Sequence, residues 1–347
     1  MADTITNDEA LAMIAKGHAA LSANLAKVEP KPVEPPPVVV PPRPPEPVKE
    51  VTVALGGLAK AIAAAEPGVR IVVTAASAAS FSLKDVTGPA AGVTLDLSKV
   101  KIGNLQVANV ANVEFLGLDL NIAQVRNSKA IRFTRANVHD SPTSGLGFYS
   151  CQGVVVTAST FSNLKNGIVH DHCDDVLVEG NLFTGMTSDG VTGVGGVRVQ
   201  IRGNDFRDFN PSPGAHPDAV QFFARNATRA STDIVIDGNR IHRGKGGIPQ
   251  GIFITTQAGF EQFRYQRVRV TNNEIVGAMY NGISIGGADD VTVTGNTVQP
   301  FKDMDSRIQL TGVTKATVTG NKAKVLQGAG NSGLTISGNT TPPAIAA

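Results

Sequence analysis

The feature that most constrains this chain is a short motif that recurs along its length. The motif is apolar-x-apolar-x-Gly-Asn-x-apolar, as in Val176-Leu-Val-Glu-Gly-Asn181-Leu-Phe183, and further copies place Asn at 204, 239, 273, 296, 321 and 339. Weaker copies place Leu118, Ala136 and Ser159 at the Asn position. The copies at Asn181 and Asn204 are 23 positions apart, and most other neighbouring copies are the same distance apart or slightly closer. A short repeat with strand-like alternation and no helical periodicity predicts a solenoid with one coil per repeat.

Coils of this kind stack into a parallel β-helix, an all-β solenoid in which like positions of successive coils align in ladders. The Asn of the motif then stands at a turn, where its amide can hydrogen-bond the coils on either side. About twelve coils at a strand spacing of ~4.8 Å make a rod of roughly 60 Å. We assign residues 91–347 to this body. Residues 51–90, with a helix-like run at 58–66, are assigned to a cap and the first strands.

The first 50 residues differ in composition from the body. Residues 1–28 are predicted to form a short helix that begins at the capping box Thr6-Asn-Asp-Glu9. Its heptad seam comprises Leu11, Ile14, His18, Leu21, Leu25 and Val28. This helix is either an anchor that self-associates as a coiled coil or an amphipathic helix that packs on the body. Residues 29–50 contain ten prolines and predict a semi-rigid linker, with a ligand for a proline-binding domain as the alternative.

Composition limits the partners of the chain. With 31 Lys and Arg against 29 Asp and Glu, the net charge of +2 is too small to indicate nucleic acid. No run of 18 apolar residues predicts a membrane span, and the acidic start does not resemble a signal peptide. We therefore expect a protein made in the cytoplasm, without nucleic-acid binding or membrane insertion.

A second aligned strand predicts a ligand-binding face. It includes Gly145–Tyr149, Gly167–Asp171, Ala219–Phe223 and Gly251–Thr255, and period-2 alternation turns one set of its side chains outward. The predicted binding residues are Tyr149, Asp171, His172, Asp189, Gln221, Phe223 and Phe253. Just before this strand runs a polar ladder of Ser144, Asn166, Asp189, Asp218, Gln250, Asn281 and Ser306, expected on the same face. Such a mixture suits sugar rings and their hydroxyls, and the alternative is an ordinary solvated sheet face, which exposed phenylalanines disfavour.

The two longest intervals between motif copies, from Asn204 to Asn239 and from Asn239 to Asn273, belong to adjacent coils. Their extra length falls in Arg207–Pro217, Arg225–Thr232 and Gln257–Gln266, and insertions in a solenoid become loops beside its binding surface. These loops flank His216-Pro-Asp218-Ala-Val-Gln221. His216 and Asp218 are candidates for a catalytic acid/base pair. The alternative is that both residues only order the incoming loop.

The run His170-Asp-His-Cys-Asp-Asp175 contains residue types that bind metals. Alternation turns His170 inward and Asp171 outward, so these side chains do not converge, and we expect no metal and no cofactor. Cys173 follows Cys151 by one repeat, which predicts that the two thiols stack in successive coils. Strand spacing would permit a disulfide, but a cytoplasmic origin favours free thiols.

Taken together, the repeats resemble the right-handed parallel β-helix superfamily, which includes pectate lyases, alginate-modifying enzymes and bacteriophage tailspikes. The resemblance covers roughly residues 55–340. A short helical head, a proline-rich linker and a β-helix body most resemble a phage tail spike or fibre. This implies a homotrimeric virion protein that binds a bacterial surface glycan along its β-helix and binds other virion proteins through residues 1–28. The His216–Gln221 stretch is similar to one on the binding face of such proteins.

The enzymes of this superfamily imply an alternative, a polysaccharide lyase, hydrolase or epimerase that uses His216 and Asp218. The chain has no Trp and lacks the arginine motif of pectate lyases, the Asn-Thr-Asp motif of polygalacturonases and the Asp-Pro-His-Glu motif of alginate epimerases. No complete catalytic set of these families is therefore present. A third alternative is a purely structural spike without a ligand.

Overall fold

The computed structural model describes residues 39–41, 43–44, 46 and 49–346. All of them belong to one compact unit, Pro35–Ala347. The predicted N-terminal helix and the first part of the proline-rich linker lie outside the described residues.

Parallel β-strands make up nearly all of the regular secondary structure of the described chain. It begins with β1 (Lys49–Val53), a 3₁₀ turn (Leu55–Gly57) and the helix α1 (Leu58–Ala63). The remaining strands are β2 (Val69–Val73), β3 (Ala76–Thr87), β4 (Val93–Asp96), β5 (Val100–Leu116), β6 (Asp119–Arg126), β7 (Lys129–Thr134), β8 (Asn137–Tyr149), β9 (Gln152–Thr157), β10 (Thr160–Asp171), β11 (Asp174–Glu179), β12 (Leu182–Thr184), β13 (Val191–Val194), β14 (Val197–Arg202), β15 (Asp205–Arg207), β16 (Asp218–Phe223), β17 (Thr232–Asp237), β18 (Arg240–His242), β19 (Gln250–Thr255), β20 (Tyr265–Thr271), β21 (Glu274–Val276), β22 (Asn281–Gly286), β23 (Ala288–Thr294), β24 (Thr297–Gln299), β25 (Arg307–Thr311), β26 (Thr314–Thr319), β27 (Val325–Gln327) and β28 (Ser332–Ser337).

The strands form three parallel stacks, one for each side of the coil. Sheet A contains β1, β2, β4, the end of β5, β7, β9, β11, β14, β17, β20, β23, β26 and β28. Sheet B contains the first parts of β3, β5, β6, β8 and β10, then β12, β15, β18, β21 and β24. Sheet C contains the later parts of β3, β6, β8 and β10, the middle of β5, then β13, β16, β19, β22, β25 and β27. The thirteen strands of sheet A within the described residues confirm the predicted solenoid of about twelve coils.

The core fills the space between the three sheets. Side chains that alternation turns inward, such as Val191, Val220 and Ile252, are completely buried. Phenylalanines at one register position stack through successive coils, with ring centroids of Phe161 and Phe183 4.7 Å apart. Burying each such ring stabilises the fold by about 1.5–3 kcal/mol.

The Asn ladder forms as the sequence predicts. The Oδ1 atom of Asn239 accepts hydrogen bonds from the backbone N–H of Asn204 (3.0 Å) and from its Nδ2 (2.9 Å). Its own Nδ2 donates to the carbonyl oxygen of Ile201 (2.9 Å) and to Oδ1 of Asn273 (3.0 Å). The preceding Gly238 has φ +61°, a left-handed conformation that explains why glycine precedes asparagine in the motif. Each ladder residue therefore satisfies buried backbone groups that no strand pairing reaches.

The N-terminal cap contains the predicted helix, which ends three residues earlier than expected. Leu58 and Ile62 of α1 are buried and join the core at its first coils. The predicted run is 58–66, but the chain leaves the helix at Ala64, and Pro67 and Gly68 lead it into β2. The helix covers part of the open end of the solenoid, where unpaired strands would otherwise be exposed.

The described part of the proline-rich linker contacts sheet A. The backbone N–H of Val39 donates to Oδ1 of Asp175 (2.9 Å), and the Arg132 guanidinium donates to the carbonyl oxygen of Pro41 (2.9 Å). Pro44 lies against Gly92, where an added Cβ would come within 3.1 Å of the proline ring. The described linker residues 39, 41 and 44 are therefore in contact with the body, because polyproline backbone leaves its carbonyl groups available to side chains of the body.

Candidate functional site

The three insertions lie at the ends of two neighbouring strands of sheet C. Residues 208–217 precede β16, residues 224–231 follow it, and residues 256–264 follow the neighbouring strand β19. We call residues 208–217 the corner loop, and the two segments 224–231 and 256–264 the wall. The corner loop and the wall leave opposite ends of β16, and Phe260 and Phe263 of the wall pack beside the outer face of sheet C. We call the outer face of sheet C between the corner loop and the wall the groove.

The wall has an apolar core of its own. It consists of Val194, Ala224 and Ala227, all buried, with Phe223, Phe260 and Phe263 packed against them. Backbone N–H groups of the first segment, at residues 224 and 225, donate to Oε1 of Gln257 in the second segment (2.6 and 2.9 Å). Phe223 does face outward, as alternation predicts, but the wall packs against it and leaves it half-buried. The expectation of a freely exposed ring at this position is wrong, because the insertion folds back over its own strand.

Asp171 and His172 lie at the edge of sheet C, beneath the wall. The Nδ1 atom of His172 is hydrogen-bonded to Asp171, and its Nε2 atom lies 2.7 Å from Oγ1 of Thr228 in the wall. The neighbouring Arg229 donates to the carbonyl oxygen of Gly195 (2.7 Å) and to Asp174 (2.5 Å). Two successive wall residues are thus fixed to the sheet.

Three of the predicted binding residues form the surface of sheet C. Gln221 and Phe253 are register partners on neighbouring coils, and both are half-buried on the groove floor. Tyr149 is the register partner of Asp171 in the preceding coil. The Arg126 guanidinium lies 4.2 Å from the centre of the Tyr149 ring, and the ring extends over Gly147. An amide, two aromatic rings and a cation along one face offer both hydrogen bonds and flat apolar contacts.

The polar ladder runs inside the corner between sheets B and C rather than on the outer face. The backbone N–H of Asp189 donates to Asn166 (3.1 Å), and that of Asp218 donates to Oδ1 of Asp189 (2.9 Å). Asp189, Asp218 and Gln250 are 8%, 1% and 5% exposed. Each of these three residues lies two positions before an inward-facing core residue of sheet C, so alternation turns it inward as well. The expectation that they face outward is wrong. Asp189 and Asp218 therefore order the coil corner and do not line the groove.

His216 and Asp218 do not form a pair. His216 is not buried, and no hydrogen bond or ion pair within the described residues joins it to Asp218. Oδ2 of Asp218 accepts a hydrogen bond from Nε2 of Gln221 (3.0 Å), whereas its Oδ1 has no partner among the described residues. Burial, reinforced by the charge of Asp189, raises the pKa of Asp218 well above its ordinary value. Burial likewise raises the pKa of Asp189. In this arrangement Asp218 positions the Gln221 amide.

A second depression lies on the outside of the same corner. Its volume is about 570 Å³, and its lining includes Asp140, Asn163, Lys165, Ser188 and Ser212. These residues are not among the predicted binding residues. A usable signal was present, because Lys165 and Ser188 directly precede the ladder residues Asn166 and Asp189, so alternation turns them outward.

His139 lies next to this depression, between two carboxylates. Its Nε2 atom is 3.0 Å from Oδ1 of Asp119 and its Nδ1 atom is 2.8 Å from Oδ2 of Asp140. These hydrogen bonds, that to Asp119 first, raise the pKa of His139. Hydrogen bonds from Asn163 and His139 lower the pKa of Asp140.

The described residues include no group of three His, Cys, Asp or Glu side chains arranged to hold a metal ion. His170 is fully buried and Asp171 faces out, as alternation predicts. Cys151 and Cys173 are buried free thiols in successive coils, and the backbone N–H of Cys151 points at the sulfur of Cys173 (3.4 Å). Nothing helical in the described chain reaches the length and hydropathy of a membrane span.

Comparison with known proteins identifies the fold family. The model of the right-handed β-helix region matches residues 98–298. Similar solved structures include an exopolygalacturonase from Thermotoga maritima, with 10% identity over 86% of this chain and 93% of that one and a TM-score of 0.55. The Dettilon tailspike protein is 15% identical over 84% of this chain and 63% of its own, with a TM-score of 0.53. PfbA, a surface adhesin of Streptococcus pneumoniae, is 10% identical over 82% of this chain and 91% of its own, with a TM-score of 0.50.

No curated protein matches the sequence. The structural likenesses are at identities that carry information on fold and none on activity. The family match covers more than half of the chain and agrees with the three parallel sheets and the Asn ladder. The chain therefore belongs to the right-handed β-helix family.

Proposed function

We propose that this chain binds a bacterial surface polysaccharide in the groove on sheet C. The observation that carries the proposal is that the corner loop and the wall leave opposite ends of β16 and border one stretch of an otherwise regular solenoid. Gln221 and Phe253 on its floor, and Tyr149 further along the face, combine amide hydrogen bonding with flat apolar surface. Sugar rings present hydroxyl groups at their edges and C–H groups on their faces, so this combination suits them.

We further propose that the chain is a tail spike or fibre protein of a bacteriophage virion. Support comes from the order of its segments, a heptad-patterned head at 1–28, a proline-rich linker and a β-helix body. In this proposal residues 1–28 attach the protein to other virion proteins and assemble a homotrimer. The protein is made in the host cytoplasm, released with the virion, and adsorbs to the host through the glycan. The fold is also that of a tailspike protein, although it is shared with a polygalacturonase and an adhesin.

The test is retention of the full chain on a panel of immobilised capsular and lipopolysaccharide O-chain polysaccharides. We expect saturable retention on at least one of them. The double variant Gln221→Ala/Phe253→Ala removes the floor contacts and should lose at least ten-fold in affinity, about 1.4 kcal/mol. Thr335→Val on the outer face of sheet A is the matched control and should bind as the native chain does. Retention on no polysaccharide, or equal retention of the double variant, contradicts the groove assignment, and the first of these outcomes favours a purely structural spike.

A second candidate function is cleavage of the bound glycan by a lyase, hydrolase or epimerase mechanism. The observation that favours it is the pair of carboxyl groups with raised pKa, Asp189 and Asp218, because a general acid must hold its proton near neutral pH. Both carboxyl groups are buried inside the coil corner, so this candidate requires the corner to open toward the bound glycan. His216 would have to approach Asp218 for the pair predicted from sequence to act. Soluble products released from a retained polysaccharide, and lost in Asp218→Asn, would favour this candidate over binding alone.

A further inference from the structure

Three side chains at the edge of the groove lie in a line that ends in the wall. Oγ1 of Thr228 is 2.7 Å from Nε2 of His172, and Nδ1 of the same ring is hydrogen-bonded to Asp171. Residue 228 is 56 positions from His172, so the wall insertion creates this contact. We propose that Thr228, His172 and Asp171 form a hydrolytic relay that cleaves carboxylic esters, with Thr228 as nucleophile.

The hydrogen bonds identify which ring nitrogen is free to act as a base. The backbone N–H of Thr228 also points at Nε2 of His172, at 3.1 Å. A backbone N–H can only donate, so Nε2 carries a lone pair and the ring proton is on Nδ1, directed at Asp171. The Thr228 hydroxyl donates to the same lone pair, so Nε2 is a bifurcated acceptor shared by the hydroxyl and the backbone N–H. This is the protonation state in which an imidazole accepts the proton of an attacking hydroxyl while a carboxylate holds the ring.

The relay is accessible to a ligand in the groove. The side chains of His172 and Asp171 are 22% and 39% exposed, and Thr228 is exposed. Asp171 is the register partner of Tyr149 in the neighbouring coil. A polysaccharide that lies on the Tyr149 ring therefore reaches the relay at the next coil. The Ala227 side of the wall is buried in its apolar core, which fixes the position of the nucleophile.

The reaction is balanced without a cofactor. Thr228 Oγ1 attacks the acyl carbon while its proton passes to Nε2 of His172, and Asp171 stabilises the resulting imidazolium. The ester C–O bond then breaks, and the leaving alcohol takes the proton from Nε2. Water attacks the acyl-Thr228 ester by the same route, which releases the carboxylic acid and restores the hydroxyl. The Arg229 guanidinium donates to the carbonyl oxygen of Gly195 and to Asp174, which fixes the wall segment that carries Thr228 to the sheet.

The substrate class follows from the location. An O-acyl group on a sugar is a carboxylic ester that a glycan would bring to this edge of the groove, so the natural substrate is an O-acylated polysaccharide. That assignment rests on the proposed glycan binding, whereas the ester chemistry of the relay does not.

The test is hydrolysis of p-nitrophenyl acetate by the full chain. We expect activity above buffer that falls at least 100-fold in Thr228→Val, which keeps the side-chain shape, and in Asp171→Asn, while Thr228→Ser retains activity. Thr335→Val, a threonine on sheet A, is the matched control and should hydrolyse the ester at the native rate. Absence of hydrolysis by the native chain, or an unchanged rate in Thr228→Val, would overturn the relay and leave these residues as a clamp for the wall.

A second measurement covers the case in which the variants do not fold. The native chain is treated with an alkyl fluorophosphonate, and the labelled peptide is located by mass spectrometry. Labelling of Thr228 supports the relay, and labelling elsewhere or none overturns it. Ester hydrolysis without retention on any polysaccharide would support the relay and contradict the groove, whereas retention without hydrolysis would do the reverse.

Discussion

Acid is expected to weaken this fold through His170, a residue inside the core. Its side chain is completely buried, and neither ring nitrogen has a hydrogen-bond partner among the described residues. The ring occupies the space left by Gly193 in the next coil and contacts Phe222 edge-on, with centroids 5.5 Å apart. Burial lowers the pKa of His170 from 6.5 to about 4. The native state therefore holds the neutral ring, and only the unfolded chain takes up a proton between these values.

The sign and the size of the effect follow from this shift. The folded-state pKa lies below the unfolded one, so the contribution of His170 to stability is intact above pH 6.5 and is lost as the pH falls toward 4. A shift from 6.5 to about 4 corresponds to about 3 kcal/mol in full, at ~1.4 kcal/mol per unit. Between pH 7.5 and pH 5 the expected loss is about 2 kcal/mol.

The variant His170→Phe isolates this contribution. Phe148 is the register partner of His170 in the preceding coil, so a phenyl ring suits this position of the stack. The free energy of unfolding of both proteins is measured by equilibrium denaturation in guanidinium at pH 7.5 and pH 5. All other titrating groups are common to both, so the native chain should lose about 2 kcal/mol more than the variant. Parallel pH dependence in the two proteins would refute the assignment of an unpaired, uncharged histidine in the core.

Three further predictions concern the ladder, the outer corner and the thiols. Asn239→Ala should lower the free energy of unfolding by about 4 kcal/mol, because it leaves several buried backbone and amide groups without partners. The control Asn137→Ala, at an exposed position, should change the free energy of unfolding by less than about 0.5 kcal/mol. Equal effects of the two variants in denaturant titrations would contradict the ladder. His139→Asn should lower Tm in calorimetry at pH 5.5, and this difference should shrink toward pH 8.5, because the raised pKa means that the charged ring stabilises the fold only until the pH passes its folded-state value. A difference that grows with pH would exclude the carboxylate contacts as its cause. Cys151 and Cys173 should not react with a thiol reagent until denaturant is added, and reaction at native rates would show that the coils open around them.

The regular part of the fold was predictable because each coil repeats the same Gly-Asn turn and the same alternation of inward and outward side chains. The positions of Asn181, Asn204 and Asn239 in the sequence determine the ladder, and the glycine before each Asn provides the left-handed turn. Alternation also placed Val220 inside and Gln221 outside, since strand parity depends only on local sequence. These features require no knowledge of distant contacts.

The irregular part depended on contacts between residues far apart in sequence. Parity alone did not reveal that the wall would return to pack against Phe223, or that Thr228 would reach His172. The prediction that Asp218, at the coil corner before β16, faces outward was wrong for a different reason. Asp218 has the residue type of a surface site, but it occupies the first inward position of its strand, where burial and the ladder hydrogen bonds determine its role.

Protection of the groove by a bound glycan tests the central claim most directly. The full chain is exposed to hydroxyl radicals with and without a polysaccharide that it retains from the panel, and oxidation is measured for each side chain by mass spectrometry. The account predicts protection of Tyr149 and Phe253 on sheet C, with unchanged oxidation at Ile345, which is 43% exposed near the C-terminus. Protection at Ile345 or on sheet A, with Tyr149 and Phe253 oxidised as in the free chain, would contradict it.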